Sequence, residues 1–244
     1  MPALKAKEFD KLHREFTASI STKYDCGQHC APLNGGDPVC CDVGHAVPIV
    51  DKGEWKALKR RTDLWSKFKP AEDDKAGQEI VAELAKGCKA IECKGARHCE
   101  RDNRTIACRS FPFYPYTDKS GEVIGLSLYW GFEDRCWVQS NLQIVEPEFI
   151  TQMLAAYEVI FAKDEAEFDA YKEQSANNRR VFSRKKRPIP LLKADGKLYK
   201  ILPKGGGIKP AKPADFGKHG PYKSASAYKK AVQEAEEIYA NEEG

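Results

Sequence analysis

The chain has 244 residues, 41% of them apolar and 31% charged, with a formal net charge of +4. That length buries a core without disulfide staples, and no apolar run approaches the roughly 20 residues of a membrane helix, so no membrane partner is expected. The opening stretch Met1 to Asp10 is charged and lacks the apolar segment of a secretory leader. A cytoplasmic location with reduced thiols is therefore expected.

In chain order, Phe9, Leu12, Phe16 and Ile20 recur at helical spacing and predict an amphipathic helix over 5–20. Residues 26–45 are dense in glycine, proline and asparagine, which argues against a regular element there. Ala46 to Val50 reads as a short extended piece. A helix is expected from Asp51, with Asp51 and Glu54 as a capping box and Trp55, Leu58, Trp65 and Phe68 as its buried stripe. Residues 70–78 read as a polar connection, and 79–86 as a short helix closed by Gly87.

Residues 88–138 read as loops and short strands, with Thr105 to Cys108 entering an extended stretch. The run Phe111 to Tyr116 is aromatic and proline-rich, hence stiff and non-helical. A turn at Asp118 to Gly121 followed by Val123 to Trp130 predicts a hairpin. Pro147 opens a predicted helix carrying Phe149, Ile150, Met153, Leu154, Tyr157, Ile160 and Phe161. A more polar helix is expected over 164–180, with Phe168 and Tyr171 facing in.

Beyond Arg184 the composition changes. Residues 184–230 hold fourteen basic residues against two acidic ones, Asp195 and Asp215. Leu191 to Tyr199 is a hairpin candidate with Asp195-Gly196 at its turn. Gly205 to Gly207 reads as a linker, and Ser226 to Asn241 as a capping helix. A basic region on an acidic body is suited to nucleic acid or an acidic protein as partner, or to docking on its own body.

The nine cysteines carry the chemistry. An odd number in a reducing compartment argues for metal ligands over a disulfide framework. Cys26, Cys30, Cys40 and Cys41 form one group, and Cys88, Cys93, Cys99 and Cys108 a second; Cys136, beside Trp137, reads as core packing. Zinc sites and iron–sulfur clusters both take four such ligands. His29, His45 and His98 lie in or beside these stretches and are candidates to replace a thiolate. There is no Cys-x-x-Cys pair, which excludes an ordinary zinc ribbon or a thioredoxin-type dithiol. Arg104 and Arg109 are candidates to offset the negative charge of thiolates.

The pattern Cys26-x₃-Cys30-x₉-Cys40-Cys41, followed by Arg104, Cys108, Arg109, Phe111 and Pro112, resembles the YkgJ-like cysteine-cluster family, described as zinc- or iron-chelating. Thr105 stands where that family usually has proline, and the resemblance covers about residues 20–140. The flagellin lysine N-methylases are similar through a cysteine cluster of the same kind. The resemblance implies metal binding without a settled activity.

The resulting expectation is an α+β protein: a mainly helical, cysteine-rich single domain with a loop-built metal site and a small β-hairpin, plus an extended basic C-terminal region. Residues 1–183 are read as the metal-binding domain and 184–244 as the extension. The metal expected is zinc or iron, the latter alone or in an iron–sulfur cluster. Two other readings stand beside it: an iron–sulfur enzyme supporting redox or protein-modification chemistry, and a zinc-stabilised module that binds nucleic acid or protein through its basic tail.

Overall fold

The computed structural model describes residues 4–242. Its helices are α1 (Ala6–Glu15), α2 (Gly27–Cys30), α3 (Lys52–Arg61), α4 (Lys75–Ala82), α5 (Ile106–Ser110), α6 (Pro147–Phe161), α7 (Glu165–Arg184) and α8 (Ala225–Glu242). Its strands are β1 (Ile49–Val50), β2 (Trp65–Lys67), β3 (Lys89–Cys93), β4 (Phe113–Thr117), β5 (Val123–Leu128), β6 (Ile189–Leu192), β7 (Leu198–Ile201) and β8 (Ile208–Pro210). They build a three-stranded sheet in the order β1-β3-β2 and a five-stranded sheet in the order β4-β5-β6-β7-β8. All the strand pairs are antiparallel.

This corrects the expectation of a mainly helical domain with one small hairpin and an extended C-terminal region. Both expected hairpins are present, as β4–β5 and, with Asp195-Gly196 in the turn, as β6–β7; β5 also pairs with β6, so residues 189–210 continue the same sheet. β6 (Ile-Pro-Leu-Leu) is buried at every position and shows no two-residue alternation. β7 and β8 are short and carry Lys200 and Lys209. A fully buried strand and a short basic edge strand both lack the usual periodic signal. Gly125 is where the sheet demands glycine: its φ is +151°, and an added Cβ would lie 2.4 Å from the Leu192 carbonyl oxygen of β6.

The main core lies between α1, α6 and the five-stranded sheet. Phe149, Ile150 and Met153 of α6 are fully buried with Phe9 and Leu12 of α1 and with Leu126 and Leu128 of β5. Burial of side chains of this size stabilises by about 1.5–3 kcal/mol each. α7 covers β4, one of the two edge strands of the large sheet. Its buried Ser175 hydroxyl accepts from the Thr117 N–H at 3.0 Å, and Arg179 donates to the Thr117 carbonyl at 2.6 Å. Side chains thus meet backbone groups that an exposed edge would leave unpaired.

Local elements depart from expectation where side chains compete with the backbone. α1 stops at Glu15 instead of running to residue 20. Gln152 Oε1 accepts from the N–H groups of Thr17 and Ala18, at 2.9 and 2.8 Å, and so draws this segment onto α6. The helix expected at 79–86 starts earlier, because Asp74 caps it through the Gly77 N–H at 2.8 Å. Thr105 to Cys108, expected extended, is the start of α5: the Thr105 hydroxyl accepts from the Cys108 N–H at 2.9 Å, an N-cap. Within the turn-rich stretch 26–45, α2 is a single helical turn.

Asp51 caps α3 as expected, accepting from the N–H groups of Gly53 and Glu54. Glu54 does not close a reciprocal box. It turns inward, is 4% exposed, and accepts from His13 Nε2 at 2.9 Å and from the Ile106 N–H at 2.7 Å. Arg61 donates to His13 Nδ1 at 2.6 Å, which leaves the ring proton on Nε2, facing Glu54. One carboxylate therefore joins α1, α3 and α5. Glu54→Ala strands buried donors on two partners and is expected to destabilise by about 3 kcal/mol in urea denaturation. Glu54→Gln, which retains an acceptor oxygen, is expected to cost less than half as much.

Candidate functional site

Short elements deliver the thiols. Cys26 and Cys30 bracket α2, and Cys40 and Cys41 lie on a 3₁₀ turn, Val39–Cys41. Cys93 ends β3 beside Trp65 of β2, Cys99 follows a second turn, Ala96–His98, and Cys108 lies in α5. All nine cysteines are free thiols.

Cys40, Cys41, Cys93, Cys99 and Cys108 line one cavity of about 50 Å³, together with Arg104, Trp65, Leu64 and Pro48. A neighbouring cleft of about 250 Å³ shares Cys40, Cys41, Cys108 and Arg104 and adds Cys26, Arg101 and Arg109. Cys30 is buried at the foot of α2 against Val39 and Tyr222.

Six of the eight sequence candidates therefore line these two adjoining spaces; Cys30 lines neither, and Cys88 lies apart. It lines a separate cavity on the far side of α5. Cys136 is buried in the main core, as expected, with Cys26 packed against the same cluster.

The histidines do not join the thiols. His29 stacks on Trp137 with ring centroids 4.0 Å apart. His45 bonds Asn34 at 2.8 Å and accepts from Arg135 at 3.1 Å, and His98 is exposed. The two arginines take different tasks. Arg104 donates Nε–H to Cys99 Sγ at 3.1 Å. Arg109 instead clamps backbone: it donates to the carbonyls of Arg104, Asp102, His13 and Phe16, tying the 102–104 loop to the end of α1. Trp65 adds a tie through its indole N–H to the Asn103 carbonyl at 2.8 Å.

Burial raises most of these thiols. Cys108 is pushed up to about 12 and Cys26 to about 11, both chiefly by desolvation. Cys41 moves the other way, to about 7, through its hydrogen bond with Cys40 and, secondarily, the Arg104 charge. A cation among several thiols favours their ionised forms.

Five sulfur donors around one small cavity, with a guanidinium beside them, are the donor chemistry of a soft metal. Among the described residues no three His, Cys, Asp or Glu side chains are set in coordinating geometry.

The cavity that holds Cys88 was not legible in the sequence. It measures about 410 Å³ and is lined by Asp51, Glu54, Asp164 and Glu167 and by Tyr129, Tyr157 and Tyr171. Its residues come from segments far apart in the chain, each of which reads locally as a cap or a buried helix face. Asp164 caps α7 through the Glu167 N–H at 3.0 Å. Burial raises Asp51 to about 6; burial, then Asp164, Asp51 and Glu54, raises Glu167 to about 7.

Comparison with family models, with curated proteins and with solved structures finds no match to this chain. Among the described residues no helix is long and apolar enough to cross a membrane.

A carboxyl raised in the folded state adds stability that is complete below its unfolded pKa and is lost as pH rises through the folded one. Glu167→Gln removes that loss. The stability difference between the variant and the parent is expected to grow in the variant's favour from about pH 5 to about pH 8. Thermal melts at each pH measure it, and a difference that does not change with pH contradicts the assignment.

Proposed function

We propose that this chain binds a soft metal, zinc or iron, through clustered cysteine thiolates, as the resemblance to the YkgJ-like cysteine-cluster family implies. The observation that carries the reading is the lining of one cavity by Cys40, Cys41, Cys93, Cys99 and Cys108 with Arg104 at its side. Those five thiols would supply the ligands, with Cys26 and Cys30 adjacent. Arg104 would offset part of the thiolate charge and, through its bond to Cys99, tune the donor strength of that sulfur. Zinc in such a site contributes folding energy, whereas an iron–sulfur cluster carries electrons and would extend the reading to a redox or protein-modifying enzyme.

Purification without oxygen, followed by metal and acid-labile sulfide analysis and an absorption spectrum, decides among these. Stoichiometric zinc in a colourless protein supports a structural site. Iron with sulfide and visible absorption supports the cluster, and protein without bound metal overturns the reading. Cys41→Ser and Cys108→Ser are expected to lower metal content and melting temperature together. Cys88→Ser is expected to leave metal content unchanged.

Nucleic-acid contact through residues 184–230 is a second reading. It is favoured by the exposed edge strand β8 and by the exposed Lys204, Lys209, Lys212, Lys218 and Lys223 around it. Part of the basic charge is already committed: Arg187 pairs with Glu133 at 2.9 Å, and Lys200 with Asp215 at 3.2 Å. Replacing those five exposed lysines with glutamine is expected to abolish any salt-sensitive retention on nucleic acid. Retention that is unchanged by the substitutions, or insensitive to salt, counts against this reading.

A further inference from the structure

The cavity between α3, α5, α6 and α7 has no part in the thiol chemistry. Its volume, about 410 Å³, falls within the roughly 300–1,000 Å³ typical of small-molecule pockets. Four carboxyl groups line it, from Asp51, Glu54, Asp164 and Glu167, and no lysine, arginine or histidine lines it with them. Three of the four have partners in the protein: Asp51 and Asp164 cap helices, and Glu54 holds His13 and the Ile106 N–H. Among the described residues, the side chain of Glu167 makes neither an ion pair nor a hydrogen bond.

Most of the remaining wall is aromatic and apolar. Tyr157 and Tyr171 meet edge to face with ring centroids 5.2 Å apart and share a 3.0 Å bond between hydroxyls. Tyr129, Phe9, Ile106, Ile160 and Val50 add to this wall, and Cys88 and Gln174 also face the space. Tyrosine faces attract cations, and apolar walls reward a carbon chain. A cavity with an unpartnered carboxyl, three further carboxyls, no base and such walls is complementary to a cation that is itself part organic. A bare divalent ion is a poorer fit, since it would require several oxygen ligands converging on one point.

We propose that this cavity binds a small organic cation, an alkylammonium ion whose charge meets Glu167 and whose carbon chain lies against Tyr129, Tyr157 and Tyr171. The site is separate from the metal reading, because the five thiols of that centre line a different cavity.

Calorimetric titration of the full chain with pentylammonium chloride, at constant ionic strength and with pentanol as the uncharged control, tests it. Saturable binding of the ammonium ion and none of the alcohol is expected. Glu167→Gln is expected to weaken binding by about tenfold or more, the scale of one lost charge-assisted contact. Ala170→Trp, which introduces bulk from the rim and leaves every carboxylate in place, is expected to abolish it. Both variants are expected to keep the metal content of the parent, so failure here is distinguishable from failure of the metal reading. Absence of saturable binding by the parent, equal binding of pentanol, or an unchanged affinity in both variants overturns the proposal.

Discussion

The buried carboxylate of Glu54 is the contact on which the rest of the architecture depends. It receives the ring N–H of His13 from α1 and the first N–H of α5 at Ile106, while Arg61 holds the other face of the same histidine. Removing a carboxylate from water is costly unless its lone pairs are met by donors, and here two donors from distant segments meet it. The outcome is positional. α5 is pinned at its first residue to α3 and α1, and the Thr105 hydroxyl sets its first turn. Arg109 then secures the other end of the same helix by gathering four carbonyls.

That short helix is a partition. Ile106 and Ala107 face the carboxylate-lined cavity, and Cys108 faces the thiols. Pro48 lines both spaces from the opposite strand segment. The two sides differ in charge. Arg104, with Arg101 and Arg109 near it, borders the sulfur side, whereas the other side has four carboxyls and no base. The opposed character follows from which side of α5 each loop packs against. Residues 164–169 carry four acidic side chains, but their placement against α5 is not visible in the sequence.

The five-stranded sheet supplies rigidity behind this partition. β4 leaves α5 through the Phe111-Pro112 link, so the position of Cys108 is fixed within a few residues of a strand whose side chains are all buried. α7 contributes twice. It covers the β4 edge with Ser175 and Arg179, and it presents Glu167 and Tyr171 to the acidic cavity one to two turns earlier. α8 closes over the first cysteine segment, where the Tyr239 hydroxyl meets the Gly35 N–H.

Much of this was legible in residues close together in sequence. The helices at 147–161 and 165–184 follow from apolar spacing, and the β4–β5 hairpin from its turn residues. The clustering of thiols follows from two cysteine-rich stretches in a chain with an odd number of cysteines. Those signals are local, because period and turn chemistry act over a few residues. The β6–β7 hairpin was legible from Asp195-Gly196 at its turn, but its joining to β5 and the addition of β8 were not, since β6 is buried on both faces and β8 is short and basic, so neither alternates. Nor was the separation of Cys88 from Cys93, which lie at opposite ends of β3 and open onto different cavities. What only the tertiary structure decided is the company each side chain keeps. Glu54 reads as half of a capping box and becomes a buried tie among three helices. Arg109 reads as a charge beside thiols and becomes a clamp on carbonyls. Local sequence specifies the side chain and its element, but the choice among partners tens of residues away is made by packing, where an unmet buried donor or charge costs more than any local preference is worth.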